Sequence, residues 1–215
     1  MDPHAGEPVA TAGRPLEECD ATMIMVHGRG ASPRSILDLA RALDRPSFAY
    51  LAPAAAGNAW YPRSFMAPTE SNEPGLSSAL RVLGSLVDEL GSAGFPRERI
   101  MLLGFSQGAC LASEFAVRNP ARYGGVIAFS GGLIGPPGTR WGDGGSFEGM
   151  PVFLGCSDVD AHVPKERVDE SATVFEGMGA RVTKRIYPGM GHVVNDDEID
   201  FAREMMDTVL RSEPG

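Results

Sequence analysis

The sequence contains no apolar run approaching the roughly 20 residues that cross a bilayer. It contains no block of lysine or arginine, and its formal net charge is -9. Such a surface repels phosphate backbones and anionic lipid heads, so nucleic acid and anionic membranes are poor partners. Cysteine is scarce. Cys19, Cys110 and Cys156 cannot all pair, and two of them lie in apolar runs, so they read as reduced core thiols of a cytoplasmic protein. The first eighteen residues lack the basic start and apolar centre of a secretory signal. They are acidic and rich in proline, glycine and alanine, and residues 1–20 are expected to form a flexible arm. There is no internal repeat and no linker inside residues 20–212. A length of 215 residues with 43% apolar content suits one domain with a full core, over residues 21–215. No exposed apolar stripe can be identified, which leaves a homodimer open.

What is present is an alternation of short apolar runs and longer helical patterns. Strands are expected at "TMIMVH", "SFAYLAP", "RIMLLGF", "GGVIAFSG", "PVFLGC" and "RVTKRIY". Helices are expected from Ser35, from Leu76 to Leu90, from Gln107 to Arg118, from Lys165 to Met178, and at the end around Ile199 to Leu210. Residues 54–74 read as a long loop holding Trp60, Tyr61, Phe65 and Met66, and loops of that length in a compact domain are usually functional. Strands apolar along both faces imply an α/β fold with a mainly parallel sheet covered by helices on both sides. In such sheets ligands bind beyond the carboxyl ends of the strands.

One of those strand ends reads "GFSQG". A serine on a sharp strand-to-helix turn takes a strained conformation that leaves no room for side chains two residues either side, hence Gly104 and Gly108. The turn exposes the Ser106 hydroxyl and aims the first amides of the next helix at the same point. A serine needs a base, and the base needs an orienting group. Of four histidines, His4 lies in the arm and His27 precedes Ser106. His162 and His192 both follow the candidate acids, Asp158 and Asp160, but His162 reads as a turn residue before Pro164, which leaves His192, after the glycine loop "YPGMG", as the base. The order serine, acid, histidine is the one this architecture uses. The histidines and acids match no metal-ligand spacing, so no metal is expected. No Gly-x-Gly-x-x-Gly follows a candidate strand and no P-loop lysine occurs, which argues against a nucleotide binder.

With "HGRG", "AWYP", "GFSQG", "DVDAHVP" and "GMGH" in this order, the chain resembles the phospholipase/carboxylesterase family of α/β-hydrolases, from about Ala21 to Leu210. The resemblance implies an α/β-hydrolase fold and a serine esterase, with acyl-thioesterase and lysophospholipase activity as alternatives and no cofactor. A non-catalytic hydrolase-like binding protein is the rival from another class. The family motif Asp-x-Asp-Pro-x-Val-Pro aligns with "DVDAHVP" and so implies Asp160 as the acid, with Ala161 in place of the proline. By position it implies the backbone N–H groups of Arg29 and Gln107 as oxyanion donors, although Arg29 stands where an apolar residue is expected. The aromatic pair that the family follows with Asp is here Trp60-Tyr61 followed by Pro62. Trp60 and Tyr61, joined by Phe65 and Met66, are expected to border an acyl pocket. The Gly-rich segment from Leu133 to Met150 is too short for a lid domain, so an open site for small esters is expected.

Overall fold

The computed structural model describes residues 2–142 and 144–211. Along the chain run β1 (Val9–Gly13), β2 (Ala21–Val26), α1 (Pro33–Leu43), β3 (Phe48–Pro53), α2 (Gly75–Ser92), β4 (Ile100–Phe105), α3 (Gln107–Arg118), β5 (Gly125–Phe129), β6 (Pro151–Ser157), α4 (Lys165–Gly177), β7 (Arg181–Tyr187) and α5 (Asp196–Arg211). They form one seven-stranded sheet in the order β1-β3-β2-β4-β5-β6-β7. β1 pairs antiparallel with β3, and every other pairing is parallel.

The central strands are buried along their length, save Phe105 at the end of β4, because helices cover both faces. One face packs Ile24, Leu102 and Val126 against Leu83 of α2, Phe115 of α3 and Phe175 of α4. The other packs Met23, Met101 and Ile127 against Ile36 of α1 and Met206 of α5. α1 starts on Ser32, whose hydroxyl accepts the N–H of Ser35 while the Ser35 hydroxyl accepts that of Ser32, with Pro33 at the first helical position. Between β5 and β6 no lid helix forms among the described residues.

The N-terminal segment differs from the expected arm. Val9 to Gly13 extends the sheet as β1, in register with Pro53 to Ala49. The run "VATAG" is short, weakly apolar and half exposed, so its composition resembles a loop, and its backbone hydrogen bonds to β3 do the work that side-chain burial does elsewhere. His4 is buried, its Nδ1 accepting the N–H of Ala56 and its Nε2 donating to the Trp60 carbonyl. Asp2 pairs with Arg81 of α2 at 3.0 Å. The segment therefore fastens the loop after β3 rather than hanging free.

His27, at the end of β2, clasps the same loop from the other side. Its Nδ1–H donates to Gly28 O at 2.8 Å and its Nε2 accepts the N–H of Ala55 at 3.3 Å. Only a neutral imidazole does both. Burial is the main cause that holds its pKa below the ordinary 6.5, the Gly28 bond acting the other way. A folded pKa below the unfolded one means that the unfolded chain takes up more protons, so this group's stabilisation is complete above 6.5 and is lost as pH falls from there. Urea unfolding between pH 7.5 and 5.5 is expected to show a steeper acid loss in wild type than in His27→Gln. Equal slopes would overturn that assignment.

Candidate active site

At the carboxyl edge of the sheet, Ser106 joins β4 to α3 with φ 55° and ψ -120°. The left-handed φ costs a non-glycine residue free energy, and the surroundings leave the chain no alternative. Its N–H is held by Phe129 O at 2.9 Å and its carbonyl by the N–H of Cys110 at 3.0 Å. A Cβ on Gly108 would lie 2.0 Å from Val26 O, and one on Gly104 would lie 2.3 Å from the Gly108 backbone. Those two contacts are the reason for a glycine on either side of the serine.

His192 reaches Ser106 from the loop between β7 and α5. Its Nε2 is 2.8 Å from Ser106 Oγ and its Nδ1 is 2.6 Å from Asp160 Oδ2. A carboxylate accepts only, so Nδ1 carries the proton and the Nε2 lone pair faces the hydroxyl. The Phe105 ring backs the imidazole at 4.9 Å. The Asp160 side chain is fully buried beside a His192 side chain 19% exposed. Its other oxygen accepts the N–H groups of His162 and Val163 at 2.8 and 3.0 Å. Burial pushes this carboxyl up, yet the bonds from His192, His162 and Val163 outweigh it and hold the pKa below the usual carboxylate value. Asp158, the other candidate, accepts instead the N–H of Gly189 and so anchors the loop that presents His192. The exit of that loop is fixed by a reciprocal cap, in which Asn195 Oδ1 accepts the N–H of Glu198 and Glu198 Oε2 accepts that of Asn195. Burial pushes the Glu198 carboxyl up to about 7.

The backbone N–H groups of Arg29 and Gln107 have no acceptor among the described residues. That of Gln107 is the first of α3, where helical geometry leaves N–H groups unpaired and the dipole favours an anion. The Gln107 side chain has a separate task that the sequence reading missed. Its Oε1 accepts the N–H of Trp60 and its Nε2 donates to Tyr61 O, both at 2.9 Å. These two partners fix the amide's orientation and tie the aromatic loop to the serine turn. The only signal in the sequence was an uncharged amide beside Ser106.

A cavity of about 410 Å³ opens over Ser106 and His192. Of the four residues expected to border it, Tyr61 and Phe65 do, while Trp60 and Met66 do not. Trp60 is fully buried, its Nε1 donating to His27 O at 2.9 Å, and its ring lies between His4 and His27. The pull on Trp60 is its need for a buried acceptor, which the end of β2 supplies. Met66 packs half-buried against the core. Cys110, Val163 and His162 line the cavity in their place. The His162 ring stands edge-on to His192 at 4.8 Å. Among the described residues no cluster of three potential metal ligands occurs.

Known proteins resemble this chain in sequence and in fold. A sequence model described as phospholipase/carboxylesterase matches residues 10–210. The crystal structure of a phospholipase/carboxylesterase from Dyadobacter fermentans shares 42% identity, with a TM-score of 0.91 over 98% of this chain and 99% of that one. Acyl-protein thioesterase 1 of Eremothecium gossypii is 31% identical over 94% of this chain and 95% of its own. A Bacillus cereus carboxylesterase at 20% identity shares the fold, with a TM-score of 0.77 and 95% of each chain covered.

Proposed function

This chain belongs to the phospholipase/carboxylesterase family and is a carboxylic ester hydrolase of α/β-hydrolase fold, and from that premise we propose that it cleaves small acyl esters by two-step acyl transfer through Ser106, His192 and Asp160. The observation that carries the reading is the unbroken line of hydrogen bonds at 2.8 and 2.6 Å from hydroxyl to imidazole to buried carboxylate.

His192 Nε2 takes the proton of Ser106 as its oxygen attacks the ester carbonyl. Asp160, kept ionised by its three donors, holds the imidazole in the required tautomer and stabilises the imidazolium that forms. The oxyanion lies toward the N–H groups of Arg29 and Gln107, each donor contributing about 2.7–4 kcal/mol to the barrier reduction. His192 then returns the proton to the departing alcohol, and a water activated by the same imidazole cleaves the acyl-enzyme. Tyr61 and Phe65 supply apolar surface for the acyl group. The catalytic unit is one domain that includes β1, and a cytoplasmic location fits its three unpaired cysteines.

A cavity of this size without a lid favours short chains. p-Nitrophenyl butyrate is expected to exceed the palmitate in kcat/KM by at least about tenfold, since each methylene without a place in the pocket loses binding energy. A rate that rises with chain length to C16, or a matched acyl-thioester cleaved faster than the ester, would replace this reading with the long-chain or thioesterase alternative.

A further inference from the structure

We propose that the mouth of the Ser106 cavity holds an anion-binding subsite built on the guanidinium groups of Arg29 and Arg63, so that esters bearing a second, ionised acidic group are preferred over neutral ones. The proposal rests on the reading of Ser106 as the nucleophile of an ester hydrolase and names the substrate class of that same site.

Arg29 and Arg63 both line the cavity, and among the described residues no aspartate or glutamate does. The nearest acid in the machinery, Asp160, is fully buried and occupied by its three donors. Neither arginine forms an ion pair with a carboxylate among the described residues. This happens in a chain of net charge -9, where carboxylates outnumber cations 28 to 19. Two uncompensated cations at one cleft therefore oppose the field of the rest of the surface and concentrate anions there.

The Arg29 group is also held in place, and the backbone that carries Arg63 is braced. Arg29 donates from Nη1 to Pro62 O at 3.2 Å and from Nη2 to Arg63 O at 2.6 Å, with its guanidinium 5.9 Å from the Tyr61 ring centroid. Carbonyls satisfy two of the five N–H donors and neutralise no charge, so the remaining donors keep a fixed direction. The backbone of Arg63 is clamped on both sides, its carbonyl by Arg29 and its N–H by the buried Asn72 at 2.8 Å. Asn72 in turn donates to Ser64 O, which braces the next residue of the rim. An arginine fork on a braced loop suits a carboxylate of the substrate.

The test uses two matched pairs of esters, followed by proton release at constant pH. Monoethyl glutarate against ethyl pentanoate carries the anion on the acyl part; carboxymethyl butyrate against propyl butyrate carries it on the alcohol part. The wild type is expected to prefer the anionic member of one pair by about fivefold in kcat/KM, the effect of one exposed ion pair, and that pair identifies the side on which the anion lies. The preference is expected to shrink to within about twofold in Arg63→Gln, to persist in Arg63→Lys, to invert in Arg63→Glu, and to fall as salt is raised from about 0.02 to 0.5 M. Turnover of the neutral esters with no anionic preference in either pair would overturn the subsite and leave the esterase reading intact. A preference unchanged in Arg63→Gln and Arg63→Glu would overturn the assignment to Arg63. No turnover of any of the four esters would overturn both readings together.

Discussion

Ser106→Ala is expected to lower kcat on p-nitrophenyl butyrate by about 10⁶-fold and to abolish covalent labelling by a fluorophosphonate, with the fold retained. The scale follows from what one oxygen does here. It is the atom that bonds to the acyl carbon, and without it the imidazole has no alcohol to activate. What survives is the binding surface and the oxyanion donors, which leave a residual of about 10³–10⁴ over water. Alanine keeps a Cβ at the strained φ of 55°, so the turn is neither relieved nor further strained. The thiol in the cavity wall, Cys110, cannot substitute. Burial pushes its thiol up to about 12, so at neutral pH it is not a thiolate. Residual activity above about 1% of wild type would show that the reaction runs through another group.

Much of this site was legible because its requirements are local. Gly104, Ser106 and Gly108 fall within five residues, their spacing set by backbone clashes with Val26 and with each other, and clashes of that kind leave a mark in any sequence. His192 was read from its place after Ser106 in a glycine loop, with His162 read as a turn residue before Pro164. Less was legible where the determinant is a distant partner. β1 depends on main-chain bonds to β3, which five small or β-branched residues do not advertise. Trp60 and Tyr61 are neighbours of the same type, yet one turns its indole N–H to His27 O in the core and the other lines the cavity. No periodicity separates them, because the loop's path is decided by Gln107, His4 and His27, three residues far apart in sequence. What holds the Arg29 side chain was likewise invisible, since the carbonyls it donates to belong to residues 62 and 63.

The two aspartates of "DVDAHVP" are separated by their hydrogen bonds, and the difference yields a second large effect. In Asp160→Asn the amide has one acceptor oxygen for three donors. If that oxygen serves the two backbone N–H groups of His162 and Val163, the NH₂ group faces His192 Nδ1. An NH₂ group cannot accept, so the imidazole must move its proton to Nε2, the atom that has to receive the serine proton. Serving His192 instead would orphan two N–H groups, one of them on the buried Val163, at a cost of about 1–3 kcal/mol each where buried. The two amides together outweigh the one imidazole bond, so the wrong tautomer prevails and kcat is expected to fall by about 10⁴-fold while the protein stays folded. Asp158→Asn meets no such conflict. Its single acceptor task, the N–H of Gly189, can be done by an amide oxygen, and kcat is expected to stay within about tenfold of wild type. Measured side by side at constant pH, with thermal unfolding as the control for folding, the ratio of the two losses decides which carboxylate orients the base. Equal losses, or a larger one at position 158, would mean that anchoring the His192 loop matters more than the charge behind it.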